Sequence, residues 1–410
     1  MQPKSFFKRT AVVAIITFVV AAIIYGLSAM WLDRTSSPRE AFFNYLAEAF
    51  LQGRLYLVNP PTQHDLTSYM GQWYVPFPPL PALLMMPWVA VSGVEKVNTV
   101  LFSVVMGAAN VTSAFLLLQS LAQRGWTHLG LFDNLCLTVL FGIGSVHWYM
   151  ATIGSVWFVS QICTVTFMLL AAWLAVTTGS PLLSGSALAL AILARPHVAL
   201  CYPLLLAIGI QQIREKGESL EARHWVRWIV LSAIPLAVAV AALLGYNYLR
   251  FENPLDFGYL TENVGEDMMR DLQKYGQFNL HYVPHNLWAM WLASFKWNAK
   301  HWVIMPDVDG MSLLLTTPAL VYLVKARKRS LLVAGAWIAL GLLFIPLVTY
   351  YNTGTWQFGY RFSLDLMTPI LVLLAVAAGQ RVGWEMRILI IIGVVVNLCG
   401  VYWFLNDLFF

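Results

Sequence analysis

Ionisable side chains are scarce in this sequence, and the few that border or interrupt its apolar runs are where chemistry is best sought. Arg195 and His197, in Ala194-Arg195-Pro196-His197, break an apolar region. A charge at membrane depth is a functional candidate by default, set against the plainer reading of an arginine snorkelling to an interface. Arg361, in Gly359-Tyr360-Arg361-Phe362-Ser363, stands where another apolar run opens. Three acids are candidates: Asp33, which ends the first apolar run, and Glu40 and Asp65 in the segment that follows it. A carboxylate can take a proton from a reacting hydroxyl, but each has an ordinary use as well. Asp33 reads as a solvated helix end, Glu40 as a helix-capping acid and Asp65, after His64, as a turn residue. His147 lies in Ser145-Val146-His147-Trp148-Tyr149, and a lone histidine among aromatics is more often an interface anchor. Asp307-Val308-Asp309 spells the DxD that elsewhere holds a divalent ion, but Gly310 and an apolar run follow it, so helix capping is its ordinary reading. No P-loop, GxSxG, HExxH or GxGxxG pattern occurs.

The elements that must position these residues follow from composition. Of 410 residues, 59% are hydrophobic and only 11% charged, where a soluble domain needs about a quarter charged. The sequence therefore reads as an all-α integral membrane protein, one polytopic helical bundle over 1–410. Seventeen Trp, 17 Tyr and 23 Phe suit aromatic belts at two interfaces. The net charge of +5 gives no sign of nucleic-acid binding, because the basic residues sit in short inter-helix loops. Cys136, Cys163, Cys201 and Cys399 all lie in apolar runs without a CxxC pair, so neither a disulfide framework nor a thiolate metal site is implied.

Apolar runs fall near 10–31, 97–119, 134–149, 155–177, 183–194, 197–212, 227–245, 310–325, 330–350, 362–379 and 388–405. They predict about eleven transmembrane helices. The run Leu80–Val94 holds Pro81 and Pro87 and reads as a juxtamembrane or re-entrant element, since lipid cannot replace the hydrogen bonds that proline removes. The bias of basic residues toward the cytoplasm then places Lys4, Lys8 and Arg9 inside. Arg214, Lys216, Arg223 and Arg227 also fall inside, as does the Lys325–Arg329 cluster containing Lys328. A rival scheme that makes 80–94 a span and merges 181–212 into one kinked helix satisfies the same bias. The expected location is the cytoplasmic (inner) membrane, with the N-terminus cytoplasmic and the C-terminus external.

Two external loops result, 32–79 and 246–309. In the first, Glu40, Asn44, Glu48 and Gln52 recur at four-residue steps opposite Phe42, Phe43, Leu46 and Phe50, predicting an amphipathic juxtamembrane helix ended by Gly53. Ser37, Pro38 and Glu40 would form its capping box. Beyond it, Gly71-Gln72-Trp73-Tyr74-Val75-Pro76-Phe77-Pro78-Pro79-Leu80-Pro81 stiffens the approach to the membrane.

With Tyr45-Leu46-Ala47 through Gly53 and then Pro78-Pro79-Leu80, the chain resembles the GT-C superfamily of membrane glycosyltransferases, which includes protein O-mannosyltransferases and lipid A aminoarabinose transferases. In that family an acidic residue in the first external loop precedes such a helix, usually in an Asp-Glu pair; here only Glu40 is close to that place. Arg195-Pro196 and Tyr360-Arg361 resemble the family's basic breaks, the latter the point at which it contacts a lipid phosphate. The resemblance implies transfer of a sugar from a polyprenyl-phosphate donor to a saccharide, lipid or protein acceptor. Glu40, or else Asp33 or Asp65, would be the base. Arg195, His197, Tyr360, Arg361 and His147 would bind the lipid phosphate and substrate. A monophosphate donor requires no metal and no further cofactor. Two other readings stand beside it: a transporter or flippase of a lipid-linked saccharide, and a non-catalytic subunit that kept the fold.

Overall fold

The computed structural model describes residues 4–215, 222–298, 303–327 and 329–405; Lys216 and Lys328, two of the basic residues expected to orient the chain, lie outside the described residues. Apolar chain in lipid must satisfy its backbone internally and so becomes helical. In order the elements are α1 (Lys4–Trp31), α2 (Phe42–Leu51), β1 (Thr67–Tyr69), β2 (Gln72–Tyr74), α3 (Leu80–Ser92) and α4 (Thr99–Gln123). Next come α5 (Leu131–Gly142), α6 (His147–Ala151), α7 (Val156–Thr178), α8 (Pro181–Ile192), α9 (Tyr202–Glu215) and α10 (Ala222–Phe251). Then follow α11 (Glu266–Tyr275), α12 (Val283–Trp291), β3 (Lys296–Asn298), β4 (Val303–Met305) and α13 (Leu313–Thr316). The chain closes with α14 (Leu331–Thr349), α15 (Met367–Ala377) and α16 (Trp384–Leu405). It is a polytopic helical membrane protein, with two small antiparallel hairpins, β1–β2 and β3–β4, among the described residues.

Among the described residues seven helices are long and apolar enough to cross a bilayer, against the about eleven expected from the apolar runs. The difference falls on four segments. Residues 134–149 divide between α5 and α6 at Ile143-Gly144-Ser145. Residues 183–194 fall in α8, of 12 residues. Residues 310–325 hold the short α13 and a 3₁₀ turn over Pro318–Lys325. Residues 362–379 begin in a 3₁₀ turn over Arg361–Leu366, ahead of the 11-residue α15. Hydropathy registers an apolar run without registering breaks in its backbone. The proline-rich α3 has 13 residues, about 20 Å of helix beside a hydrocarbon core of about 30 Å.

α7 lies inside the bundle, buried over 78% of its apolar window, while α1 is buried over only 17%. Close backbone approach holds this interior together. At Gly185 in α8, an added Cβ would lie 2.3 Å from the Ser232 carbonyl oxygen of α10. Ser232 is itself buried, and its hydroxyl shares a hydrogen bond with Tyr202 at 2.7 Å. Small residues let membrane helices meet in this way. Gly185→Ala is expected to cost about 1–3 kcal/mol by overpacking, read as a lower midpoint of thermal unfolding in detergent. An unchanged midpoint would show that the α8–α10 contact is not tight.

The loops depart from expectation in ways that matter for the site. The first-loop helix starts at Phe42, and its N-cap, Ala41, makes no side-chain cap. The expected capping box does not form, because Ser37 has a tertiary partner instead. Its hydroxyl accepts from Thr99 N–H (3.0 Å) and donates to Val97 O (3.3 Å). Nor is the polar stripe solvated along its length, since Asn44 is buried with Phe42, Phe43 and Leu46. The helix does end at Gly53, in the left-handed region at φ 69°, with Arg54 N–H bonded back to Ala49 O at 2.8 Å. The second loop begins after Phe251, because α10 runs past residue 246.

The two loops meet on one face of the molecule. Asp65 N–H donates to Asn263 O (3.0 Å) and Asn263 N–H donates to Leu66 O (2.8 Å). Thr67 pairs with Glu262 in an isolated bridge, and the Thr67 hydroxyl donates to Gly258 O at 2.9 Å.

Candidate functional site

Beneath that loop-to-loop seam lies a cavity of about 500 Å³ lined by Asp65, Arg195, His197, Glu262 and Arg361 among others. The first turns of α7 are its spine. Trp157 donates from its indole N–H to Asp65 Oδ2 at 2.8 Å. Phe158 lies under the Arg361 guanidinium, 5.4 Å from ring centre to Cζ. Gln161, one turn further along, donates to Asp365 Oδ1 (3.3 Å) and to Arg361 O (3.2 Å). These three positions share a helix face, so α7 fixes the acid and the base-rich wall relative to one another.

The basic wall comes from two helix breaks. Arg195 precedes Pro196 and is extended, at φ −149° and ψ 108°, as the residue before proline prefers. Its Nε lies 3.2 Å from Asp365 Oδ2, and His197 Nε2 lies 3.0 Å from the same oxygen. Asp365 is fully buried, and these two groups compensate it. Arg361 is different. Its backbone N–H is held by the Gln357 side chain at 2.9 Å, yet its guanidinium makes no ion pair among the described residues and its Nε has no hydrogen-bond partner there. Phe362 lies between the two arginines, 5.1 Å from Arg195 Cζ and 5.0 Å from Arg361 Cζ. The site thus holds one neutralised arginine and one available to an anion.

Asp65 faces this wall with its side chain 15% exposed, in the left-handed region at φ 56°, which Asp tolerates better than most residues. Burial raises its pKa above the usual carboxylate value, opposed by the charge of His64, the Trp157 hydrogen bond and the charge of Arg361. Glu262 is 4% exposed and accepts from the Tyr351 hydroxyl at 3.0 Å. Burial and then the charge of Asp65 push its pKa well above the ordinary value.

Not every candidate gathers here. Asp33 and Glu40 line a neighbouring groove that meets the cavity at Ile153, Ser155 and Phe404. There Glu40 O accepts the Val156 N–H at 2.9 Å and so closes the start of α7. His147 lies apart from this cavity: it is fully buried, its ring nitrogens 3.0 Å from the Tyr25 hydroxyl and 3.2 Å from Asn110 Nδ2. Tyr360 is likewise interior, its hydroxyl bonded to Leu347 O at 3.1 Å. An aromatic-rich segment at a helix end looks alike in sequence whether it faces water or the bundle. Asp307 is buried against Lys296 Nζ at 2.7 Å and accepts the Asp309 N–H at 3.1 Å, a structural role. Among the described residues no group of three His, Cys, Asp or Glu is placed to hold a metal. Sequence reasoning misses Asp365 and Glu262. Asp365, four residues after Arg361 inside an apolar run, carries a usable signal; Glu262, one acid among several in a polar loop, carries none.

No protein-family model and no curated protein matches the sequence. Among solved structures the chain is similar to ArnT from Cupriavidus metallidurans bound to undecaprenyl phosphate (14% identity, TM-score 0.49, covering 88% of this chain and 59% of that one). It is similar also to the archaeal oligosaccharyltransferase AglB from Archaeoglobus fulgidus, in complex with an inhibitory peptide and a dolichol-phosphate (10% identity, TM-score 0.46, 96% and 55%). The chain spans less than two thirds of the length of either protein.

Proposed function

We propose that the chain transfers a sugar from a polyprenyl-phosphate donor to an acceptor hydroxyl, in the cavity between the two loops on the non-cytoplasmic face. One observation carries this reading: the buried guanidinium of Arg361, in no ion pair among the described residues, faces the same cavity as the carboxyl of Asp65. Arginine keeps its charge near lipid and forks onto phosphate oxygens, and the Tyr360-Arg361 and Pro78-Pro79-Leu80 motifs support a lipid-borne phosphate as its ligand.

In the proposed step Asp65 accepts the proton of the acceptor hydroxyl as its oxygen bonds to the anomeric carbon. The bond from that carbon to the donor phosphate breaks, and its electron pair leaves on the phosphate oxygen. Arg361, with Arg195 behind it, stabilises that growing charge. The guanidinium groups supply the compensation that a metal gives to a diphosphate donor. Asp65 replaces Glu40 as the favoured base because it lines the cavity with both arginines, whereas Glu40 and Asp33 line the groove beside it.

The test is conversion of the donor. Purified protein in liposomes, given a labelled polyprenyl-phosphate sugar and a mixture of saccharide, lipid and peptide acceptors, is expected to release free polyprenyl phosphate. Labelled lipid moved between leaflets but recovered intact would establish a transporter instead.

A further inference from the structure

Two carboxyl groups at the seam stand in unequal surroundings. Asp65 keeps some solvent contact, receives the Trp157 N–H at 2.8 Å, and has His64 Nε2 3.6 Å from its Oδ1. The Arg361 charge favours its ionised form, and the Glu40 charge opposes it. Glu262 has almost no solvent contact and one neutral donor, the Tyr351 hydroxyl. The rings of Tyr259 and Tyr350 pack on Tyr351, at 6.3 Å and 4.7 Å between centres. No cation among the described residues pairs with Glu262. A carboxylate there would be desolvated, uncompensated and close to a second negative charge, three costs that act in one direction. Its backbone is also committed, since residues 262 and 263 make the bridge to Thr67 and the pair of hydrogen bonds to Asp65 and Leu66.

We propose that Glu262 is a positioning residue: uncharged at neutral pH, it leaves Asp65 as the one carboxylate of the pair while its segment holds the second loop against the first. The assignment of Asp65 as base rests on the function proposed above; the protonation of Glu262 does not. When both groups ionise, like charges oppose each other across the bridge and the seam loosens. The sign follows from linkage. Both carboxyls bind protons more tightly folded than unfolded, as burial dictates. Their contribution to stability is therefore full below the ordinary carboxyl range and is lost as pH rises through the folded values.

Infrared difference spectroscopy tests this without donor or acceptor. Wild type minus Glu262→Gln at neutral pH is expected to show the carbonyl stretch of an undissociated carboxyl, shifted in D2O. In Asp65→Asn that band persists, but it titrates away about one pH unit lower, a tenfold change in the ionisation constant, because the opposing charge is gone. Absence of the band in wild type, or an unmoved midpoint in Asp65→Asn, overturns the proposal. A band present in a protein that turns over no donor would leave the proton assignment standing and remove the transferase reading alone.

Discussion

Arg361→Ala is expected to lower turnover by about 10² to 10³, the cost of removing one group aimed at charge that develops in a transition state. The change leaves Asp365 compensated by Arg195 and His197, and its one electrostatic side effect is the loss of a charge that favours ionised Asp65. What Arg361 loses is packing on Phe158 and Phe362, and the fold should survive. Arg195→Ala is the uninformative choice, since breaking a buried pair costs about 3–5 kcal/mol in its own right. Lysine at 361 should recover only part of the rate, because it keeps the charge but not the planar fork. Single-turnover kinetics with labelled donor separates binding from chemistry. Wild-type turnover by Arg361→Ala would remove the phosphate from this wall.

The second large effect is expected at Asp65. Asp65→Asn keeps the shape and still accepts the Trp157 hydrogen bond, but it cannot accept a proton, and turnover should fall by about 10² to 10⁴ with donor binding kept. The rate in wild type should also fall with acid. Asp65 must be ionised to act, and burial raises its pKa above the ordinary value, so the acid limb lies above the ~3.9 of a free aspartate. Glu40→Gln and Asp33→Asn, in the neighbouring groove, are expected to change turnover little. A large loss in Glu40→Gln with none in Asp65→Asn would return the base to Glu40. Activity in all three variants would leave the reaction without a carboxylate base.

The basic half of this site is legible in the sequence alone. Arg195 and Arg361 are charges in apolar chain, where their cost is so high that position alone marks them. The acidic half is not. Asp65, Glu40 and Asp33 each have an ordinary local reading, and nothing local ranks them; that Asp65 accepts a hydrogen bond from Trp157, 92 residues away, is not readable from spacing. Glu262 is tied to Thr67 across the whole first half of the bundle, a pairing that no spacing rule reaches. The first-loop helix shows the same division. Its apolar periodicity and terminal glycine are plain in the residues, while its start moves because Ser37 finds partners at Val97 and Thr99. The count of long apolar helices differs from the count of apolar runs where a run is divided or short, as at the 3₁₀ turns over Pro318–Lys325 and Arg361–Leu366, which hydropathy does not register.

The ion pair between Arg195 and Asp365 has a consequence for how the protein is made. An aspartate at the centre of a helix costs about 3 kcal/mol to place in lipid unpaired, and Asp365 is fully buried. Its partners, Arg195 and His197, lie 170 and 168 residues earlier in the chain. Synthesis runs from the N-terminus, so Arg195 and His197 are delivered first, in a segment flanked by apolar helices. When α15 and the turn before it emerge, their one acid has a compensating site already waiting. The reverse order would present the bilayer with an acidic, mostly apolar segment and nowhere favourable to put it.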